Sequence, residues 1–425
     1  MKIVWVCNVM PMQAAKALDL PQKNVGGWIR VLSERLAEKE GIELMILFPV
    51  SRTEKNISGE AYGIRYAGFP MNVKAVEKYE KRQEAVFRET LKAVCPDVIH
   101  IWGSEFPHCL AMLRVCEEAG LLSRTVISIQ GLISIYAKHY CAGLPERVIK
   151  GMSLRDFLRR DNIREAQKKF EYRGEYEKEA LKIAHHVIGR TEWDLACTKR
   201  MNARLQYHRA NEILREEFYE GSWRVETCDR HRVFMSQWGY PIKGFHQMLA
   251  ALREVVESYP DTILYITGQD PFQAQGRDRV KQSYYVRYIM TLLTRWNLRK
   301  HVVFMGRELN AEEMKEQYVK AHVFVLPSVI ENSPNSLGEA MLLGTPVVCA
   351  DTGGVNTMLR HGTEGFLYPF DEPYMLAHYI KKIFSDDKLA GQMSEAEKKR
   401  AAETHDIESN VAAYLEIYET LSSGE

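Results

Sequence analysis

One segment in the C-terminal half has the pattern of a strand, a loop, a helix and a second strand. An apolar run at 322–328 predicts a buried strand that ends in a proline turn. Ser333 is a suitable N-cap and Pro334 fits the first helical position, while Gly344, followed by Thr-Pro, ends the helix. The apolar run at 346–350 predicts the next strand. A strand, helix and strand in this order predict a parallel sheet.

Both halves of the chain repeat this alternation of short apolar runs and amphipathic stretches. The repetition predicts α/β architecture with mainly parallel sheets, and 425 residues exceed one ordinary core, so we expect two domains. The charged stretch near 216–230 is the predicted linker. The predicted strands are Lys2–Asn8, Glu43–Val50, Asp97–Trp102, Val126–Gln130 and His186–Gly189 in the first half, and Arg232–Gln237, Thr262–Thr267, Val302–Met305, Val323–Leu326 and Pro346–Ala350 in the second.

Two glutamates give the segment around residue 335 its chemical interest. Glu331 lies in the predicted loop, and Glu339 lies about one turn inside the predicted helix. A helix N-terminus attracts anions, whereas carboxylates repel phosphate, so the two glutamates need another target. An ionised carboxylate accepts two O–H bonds at once, which suits vicinal hydroxyls. A nucleotide-sugar carries such hydroxyls on both sides of a diphosphate. The alternative to a binding role is that Glu331 is a solvated loop residue and Glu339 occupies an exposed helix position.

The motifs of this segment resemble a known family. Leu326-Pro-Ser, the pair Glu331 and Glu339 followed by Ala340-Met, Gly344-Thr-Pro-Val-Val and Gly353-Gly are similar to the signature of the family-4 retaining glycosyltransferases, or glycosyl transferases group 1. The resemblance implies a GT-B fold, in which two Rossmann-like domains with mainly parallel sheets face an interdomain cleft. It implies an acceptor domain at 1–218, a nucleotide-sugar donor domain at 231–400, and a C-terminal helix within 401–425 that crosses back to the first domain.

The resemblance also implies an activity. We expect a metal-independent retaining hexosyltransferase that moves a sugar from a nucleotide-diphosphate-sugar to a hydroxyl acceptor, in cell-surface polysaccharide or glycoconjugate synthesis. The donor is then a co-substrate, no separate cofactor is expected, and the acceptor is a saccharide or a lipid-linked saccharide. The chain contains no Asp-x-Asp pair that could hold a metal on the diphosphate. The leaving-group charge is therefore assigned to Lys243 and the helix N-terminus.

Individual roles in this segment follow from the resemblance. Glu331 is expected to orient the transferred sugar, and Glu339 to hold the ribose. Arg307, after a predicted strand, is expected to border the base. The backbone groups expected to contact phosphate are those of Asn335, Ser336 and Leu337.

Lys243-Gly244 is the second motif of interest. It follows a predicted strand and precedes an amphipathic helix, so the lysine can meet the diphosphate at the helix entrance. Most lysines at helix starts are merely solvated, but the family has a Lys-Gly pair here. The family also has an arginine just after the preceding strand, where this chain has Gln237. A neutral Gln237 can donate a hydrogen bond but supplies no charge. Arg190 is the candidate replacement.

Two further motifs lie in the first half. Gly26-Gly27 precedes the predicted helix 28–39, so its backbone can approach a phosphate or sugar closely, although a lone glycine pair is often only a turn. Gln130 ends the fourth predicted strand, where many relatives of the family have histidine. The loops at 100–107 and 130–131 either shape the acceptor side or serve only packing.

Composition limits the class of protein. The 57 basic and 56 acidic residues give no attraction to nucleic acid. The eight cysteines are scattered without a C-x-x-C pair or zinc-type spacing, which favours reduced thiols and no metal site. No apolar run approaches the ~20 residues of a membrane span, and the N-terminus resembles a strand more than a signal peptide. We therefore expect a cytoplasmic protein.

A basic amphipathic segment runs from residue 147 to residue 173. It contains nine Lys/Arg and four Asp/Glu, interleaved with apolar residues. Such a segment is typical either of a solvated helix on its own domain, or of peripheral contact with an anionic membrane at the inner face of the cell membrane.

Two other functions remain open. The first is a nucleotide-sugar epimerase on the same fold, although the paired glutamates favour transfer. The second is a nucleotide-sugar-binding partner subunit without catalysis, which the missing arginine favours and the retained Glu331, Lys243 and Glu339 oppose.

Overall fold

The structure, a computed structural model, describes residues 1–20, 26–51 and 57–423. The chain divides into two compact units, each described here by itself. Unit 1 comprises Met1–Tyr136, Lys169–Arg215 and His405–Glu425, and unit 2 comprises Ala137–Lys168 and Glu216–Thr404. The segment 137–168, which the predicted boundary at 218 assigned to the first domain, packs with unit 2. One reason is that Asp156 accepts a hydrogen bond from the Tyr284 amide at 2.7 Å.

The strands within the described ranges are short and mostly buried. They are β1 (Lys2–Val6), β2 (Glu43–Ser51), β3 (Ser58–Ala61), β4 (Ile64–Met71), β5 (Val98–Trp102), β6 (Thr125–Ser128), β7 (His186–Gly189), β8 (Gln206–Arg209), β9 (Arg232–Met235), β10 (Ile263–Ile266), β11 (Val302–Phe304), β12 (Val323–Leu326), β13 (Val347–Ala350) and β14 (Phe366–Tyr368).

The α-helices connect these strands. They are α1 (Met12–Ala17), α2 (Gly27–Ala37), α3 (Arg82–Val94), α4 (Pro107–Glu118), α5 (Ile133–His139), α6 (Glu146–Ile149), α7 (Leu154–Arg159), α8 (Ile163–Ile183), α9 (Glu192–Met201), α10 (Phe245–Ser258), α11 (Gly276–Val280), α12 (Tyr284–Arg295), α13 (Ala311–Lys320), α14 (Asn335–Leu343), α15 (Val355–Met358), α16 (Pro373–Ser385), α17 (Asp387–Thr404) and α18 (Ile407–Ser423).

The sheet of unit 1 has the strand order β3-β4-β2-β1-β5-β6-β7-β8, parallel except for the β3–β4 pair. Both of its faces are covered. In β1, Val4 and Val6 lie in one buried cluster while Ile3 and Trp5 lie in another. This is why the strand is continuously apolar and does not alternate. The C-terminal helix α18 belongs to the second cluster, where the Trp5 indole donates to the Tyr418 hydroxyl at 3.1 Å.

The sheet of unit 2 is parallel throughout, in the order β11-β10-β9-β12-β13-β14. Its central strand, β9, pairs with β10 on one side and with β12 on the other. The chain therefore adds β10 and β11 on one side of β9, and then returns to add β12, β13 and β14 on the other side. The predicted α/β class with mainly parallel sheets is confirmed.

All ten predicted strands are present, with bounds that differ by at most two residues at either end, and the described ranges contain four further strands that were not predicted. The strands β3 and β8 are polar sheet edges, β14 has only three residues, and Gly68 and Pro70 interrupt the apolar pattern of β4. The predicted start of α14 was early by one residue, because Pro334 is the N-cap and the helix begins at Asn335. The predicted linker also holds a buried Trp223, whose indole donates to the Ala321 carbonyl at 2.6 Å.

Two turns in unit 2 approach other backbone so closely that only glycine fits. Gly244 has φ +69°, and a Cβ there would lie 1.7 Å from the carbonyl oxygen of Pro327, just after β12. Gly353 has φ +55°, and a Cβ there would lie 1.9 Å from the carbonyl oxygen of Glu331. Both positions combine a left-handed conformation with the absence of space for a side chain. They therefore hold the loops after β9, β12 and β13 against one another.

We predict that Gly244→Ala lowers the free energy of unfolding by roughly 3 kcal/mol or more, because backbone must move to admit the methyl group. Gly362→Ala is the matched control: φ is +76° there, but a Cβ would meet nothing within 4 Å. Gly362→Ala should lower the free energy of unfolding only by the cost of holding alanine in the left-handed conformation, about 1–2 kcal/mol. Urea denaturation of the three proteins measures the difference, and equal losses for the two variants would contradict the packing argument.

Candidate functional site

A pocket in unit 2 lies at the carboxyl ends of β9 and β12. The connections leave these neighbouring strands toward opposite sides of the sheet, which opens a crevice of the kind where ligands bind in parallel α/β sheets. The crevice has a cavity volume of about 170 Å³ and opens to solvent. Its lining residues come from the two strand ends, the turn before α10 and the loop that leads into α14: Met235, Ser236, Gln237, Lys243, Val325, Leu326, Pro327, Ser328, Glu331, Pro334, Asn335 and Ser336.

An ion pair joins the two sides of this crevice. The Lys243 ammonium donates to a Glu331 carboxylate oxygen at 2.7 Å, with the side chains 18% and 9% exposed. Burial alone favours the neutral amine, but Glu331 and Tyr240 outweigh it and raise the pKa of Lys243 above its ordinary value. The lysine therefore remains charged throughout the physiological range. The Tyr240 ring, which the sequence analysis did not single out, lies 5.9 Å from the ammonium.

Main-chain hydrogen bonds fix this pair. A 3₁₀ turn at Pro241–Lys243 presents the lysine, and the Val329 amide donates to the Ile242 carbonyl at 2.9 Å. The Gly354 amide donates to the Glu331 carbonyl at 3.0 Å, from the loop after β13. Both charged groups therefore stand on backbone that is tied to neighbouring strand ends, which favours a pre-organised site.

The N-terminus of α14 forms another wall of the crevice. Asn335 and Ser336 line it and occupy the first two helical positions, whose amides have no partner one turn earlier in the helix. The helix dipole adds partial positive charge at this end. The Leu337 amide donates to the Pro334 carbonyl at 2.9 Å. The amides of Asn335 and Ser336 are thus the better placed to contact an anion.

Glu339 lies one turn deeper than this wall. It is buried, the Tyr318 hydroxyl donates to it at 3.4 Å, and it is not among the crevice-lining residues of the described chain.

Gln237 is exposed at the end of β9 and lines the crevice with a neutral side chain. Arg307 is exposed and pairs with Glu313, one of whose oxygens lies 2.7 Å from the guanidinium. Like Glu339, it lies outside the crevice lining.

The remaining predicted site residues lie in unit 1. Arg190 is buried, and its guanidinium pairs with Glu212 at 2.7 Å and donates to the Ile129 carbonyl at 2.8 Å. Glu212 therefore balances the charge of Arg190. Gln130 is half-buried after β6. Gly26 is the N-cap of α2, and Gly27 opens that helix. A Cβ on Gly27 would lie 2.5 Å from the Arg215 side chain.

A polar cluster at the carboxyl edge of the unit 1 sheet was missed by the sequence analysis. The Asn8 amide nitrogen donates to the Glu105 carboxylate at 3.1 Å, and the Asn8 amide oxygen lies 2.8 Å from a ring nitrogen of His108. Burial raises the pKa of Glu105 to about 7 and lowers the pKa of His108 to about 3. The available signal was that Asn8 and Glu105 each follow a parallel strand, β1 and β5, that are neighbours in the sheet.

Across 1–20, 26–51 and 57–423, no three His, Cys, Asp or Glu side chains stand close enough together to hold a metal ion. Within the same ranges, no helix combines the length and the apolar character that crossing a bilayer requires.

Comparisons with known proteins agree on the class of unit 2. Residues 229–400 match the family Glycosyl transferases group 1. This match lies wholly within unit 2 and contains every residue of the crevice. Among curated proteins, phosphatidyl-myo-inositol mannosyltransferase of Mycolicibacterium smegmatis is 28% identical over 195 residues. That alignment covers 45% of this chain and 45% of the mannosyltransferase, so the chain spans less than half of the relative's length.

Solved structures extend the likeness to the whole chain at the level of fold. Sucrose-phosphate synthase from Thermosynechococcus elongatus has a TM-score of 0.73 at 18% identity, with 100% of both chains covered. Anabaena HepE in complex with UDP-glucose has a TM-score of 0.65 at 17% identity, again with 100% of both chains covered. The predicted GT-B fold is confirmed.

The raised pKa of Glu105 leads to a prediction about stability and pH. Because the folded-state pKa lies above the ordinary value of 4.5, the folded protein binds more protons than the unfolded chain between 4.5 and about 7. The stability contribution of Glu105 is therefore fully present at low pH and is lost as pH rises through about 7. The difference in free energy of unfolding between wild type and Glu105→Gln should fall across that window and be constant above it. Urea titrations at several pH values test this, and a pH-independent difference would show that the carboxyl is not desolvated.

Proposed function

We propose that this protein is a family-4 retaining glycosyltransferase that moves a hexosyl group from a nucleotide-diphosphate-sugar to a hydroxyl acceptor. One observation carries the proposal: the Lys243–Glu331 pair stands beside the N-terminus of α14, at the strand-end crevice of unit 2. A cation and helix amides suit a diphosphate, and the adjacent carboxylate suits sugar hydroxyls. The family match over residues 229–400 and the UDP-glucose bound by Anabaena HepE support this choice of donor class.

Charge develops on the departing nucleotide when the bond to the sugar breaks. Lys243, with its raised pKa, is cationic at that moment, and the amides of Asn335 and Ser336 add fixed dipoles. Donors that are already oriented toward a developing charge lower the barrier without reorganisation. The leaving-group stabilisation is therefore assigned to Lys243 and the tip of α14, without a metal ion.

The two glutamates act at opposite ends of the donor in this proposal. Glu331 lines the crevice and accepts hydrogen bonds from hydroxyls of the transferred sugar, which orients the anomeric carbon. Glu339, one turn deeper in α14, holds the ribose, with its carboxylate positioned by the Tyr318 hydroxyl. The acceptor hydroxyl oxygen attacks on the face that the nucleotide leaves, while the bond from the anomeric carbon to the phosphate oxygen breaks and its electron pair stays on that oxygen. The hydroxyl proton passes to the departing phosphate oxygen, so the anomeric configuration is retained and no enzyme nucleophile is needed.

The acceptor in this proposal is a saccharide or a lipid-linked saccharide, used in cell-surface polysaccharide or glycoconjugate synthesis at the cytoplasmic side of the membrane. The mannosyltransferase relative, whose name specifies a phosphatidyl-inositol acceptor, supports the lipid-linked form. The Asn8, Glu105 and His108 cluster of unit 1 supplies polar groups suited to acceptor hydroxyls.

We predict that Glu331→Gln lowers kcat by roughly 100-fold or more while nucleotide affinity changes by less than about threefold, because the lost contact is to the transferred sugar. Donor turnover and calorimetric binding of the free nucleoside diphosphate measure the two effects. Glu316→Gln is the matched control, since that carboxylate is exposed and pairs only with Lys320 in the contacts of the described chain. Unchanged turnover in Glu331→Gln, or an equal loss in Glu316→Gln, would count against the assigned role.

The second candidate function is a nucleotide-sugar-binding subunit without catalysis. The neutral Gln237 at the crevice favours it, because the positive side of the site then depends on Lys243 and the helix tip alone. A nucleotide-sugar epimerase on the same fold is a further alternative, which the paired glutamates oppose.

One panel of measurements separates these functions. We expect a nucleotide-sugar at ~100 times its Kd to stabilise the protein by about 2.7 kcal/mol in a thermal-shift assay. We also expect the purified protein to release nucleoside diphosphate from the matching donor. Binding without any nucleotide release would favour the non-catalytic subunit. Conversion of the sugar while it remains attached to the nucleotide would identify an epimerase. No stabilisation by any nucleotide-sugar would refute the proposed site.

A further inference from the structure

The short helix α7 has its polar and apolar faces reversed relative to a normal surface helix. Its N-cap Ser153 and its third residue, Asp156, are buried and form a reciprocal capping box. Asp156 also accepts from the Tyr284 amide at 2.7 Å and pairs with Arg155 at 2.9 Å. The face that α7 turns toward the body of unit 2 is therefore polar and hydrogen-bonded. Its orientation is fixed by these contacts.

The opposite face carries large apolar side chains in water. Leu154, Phe157 and Leu158 on this face are 56%, 65% and 73% exposed, and Met152, just before the N-cap, is 51% exposed. We call these four residues the α7 patch. Single exposed apolar residues are common on protein surfaces and need no explanation. Four of them within seven consecutive positions form a local patch, and such patches mark interaction sites.

Positive charge surrounds the α7 patch. Residues 146–164 contain six Lys/Arg and three Asp/Glu, a net charge of +3. Two of the acids, Asp156 and Asp161, pair with Arg155, and the third, Glu146, pairs with Lys150. Arg159 and Arg160, which directly follow the patch, are exposed and form no ion pair within the described ranges. Their charge is available to an external anion.

We propose that the α7 patch inserts into an anionic phospholipid surface. The apolar side chains would enter the boundary of the acyl chains, while Arg159 and Arg160 would meet the lipid phosphates. This occupant fits better than a protein partner. A stable protein interface needs about 800 Å² and 20–30 residues on each side, with charge depleted at its core. Three side chains on a six-residue helix and one just before it, beside two arginines without an ion pair in the described ranges, provide neither.

None of the residues of this surface lines the donor crevice, so membrane contact can be tested separately from the proposed activity. It would place unit 2 at the face of a membrane whatever reaction unit 2 supports. The basic stretch between 147 and 173 thereby receives a structural interpretation: contact is made by the short α7 and the residues beside it, and not by the long helix α8.

The test is flotation of the full-length protein with vesicles of phosphatidylcholine alone or mixed with phosphatidylglycerol. We expect binding only to the mixed vesicles, falling several-fold between roughly 0.1 M and 0.5 M salt because the charges are screened. Phe157→Ser with Leu158→Ser should weaken binding by about tenfold or more. Arg159→Gln with Arg160→Gln should remove most of the salt dependence.

Val73→Ser is the matched control, since Val73 is an isolated valine of unit 1 that is 58% exposed, and its binding should equal that of wild type. Circular dichroism and nucleotide release by the α7 variants should also match wild type, which separates loss of membrane contact from failure of the donor site. The proposal is overturned if wild type does not float with anionic vesicles, or if the serine variant binds as wild type does. It is also overturned if wild type is a dimer that the serine variant converts to a monomer, because a second copy would then cover the patch.

Discussion

The ion pair between Lys243 and Glu331 depends on two places where backbone touches backbone. Gly244 packs on the carbonyl of Pro327, and Gly353 packs on the carbonyl of Glu331 itself. These contacts bring the loops after β9, β12 and β13 to one point above the sheet. Together with the main-chain hydrogen bonds from Val329 to Ile242 and from Gly354 to Glu331, they fix the loops that carry the lysine and the glutamate. The pair is therefore a product of parallel-sheet topology combined with two glycine turns.

Stability alone does not account for this pair. Removing two charges from water costs several kcal/mol, and apolar residues of similar volume commonly give equal or greater stability. Both groups nevertheless point into a crevice, where each can exchange its partner for a ligand. The lysine can turn to a phosphate oxygen once the carboxylate accepts hydroxyl hydrogens. In the absence of ligand, each charge keeps the other oriented, which lowers the ordering cost of binding.

The sequence was informative for the candidate site residues that follow strand ends. Gln237, Lys243, Glu331, Asn335 and Ser336 all follow parallel strands or open helices, and they line one crevice, since carboxyl ends of parallel strands share an edge of the sheet. Glu339 lies one turn inside α14, as predicted, and this depth places it outside the crevice lining. The pairing of Arg190 with Glu212 and the burial of Trp223 were not predictable, because both arise from contacts between segments distant in sequence. The local sequence pattern does not show which distant segments will contact each other in the fold.

The orientation of helix α7 could likewise not be predicted from the sequence. Its sequence predicts an amphipathic helix, but only the capping box and the Tyr284 amide determine which face turns inward. Once Asp156 is buried, Leu154, Phe157 and Leu158 must face water, where they contribute nothing to the folding core. Polar residues at those three positions would satisfy the fold equally well and would reduce non-specific association. Folding therefore does not explain these side chains, and the proposed contact with an anionic phospholipid surface gives them a role.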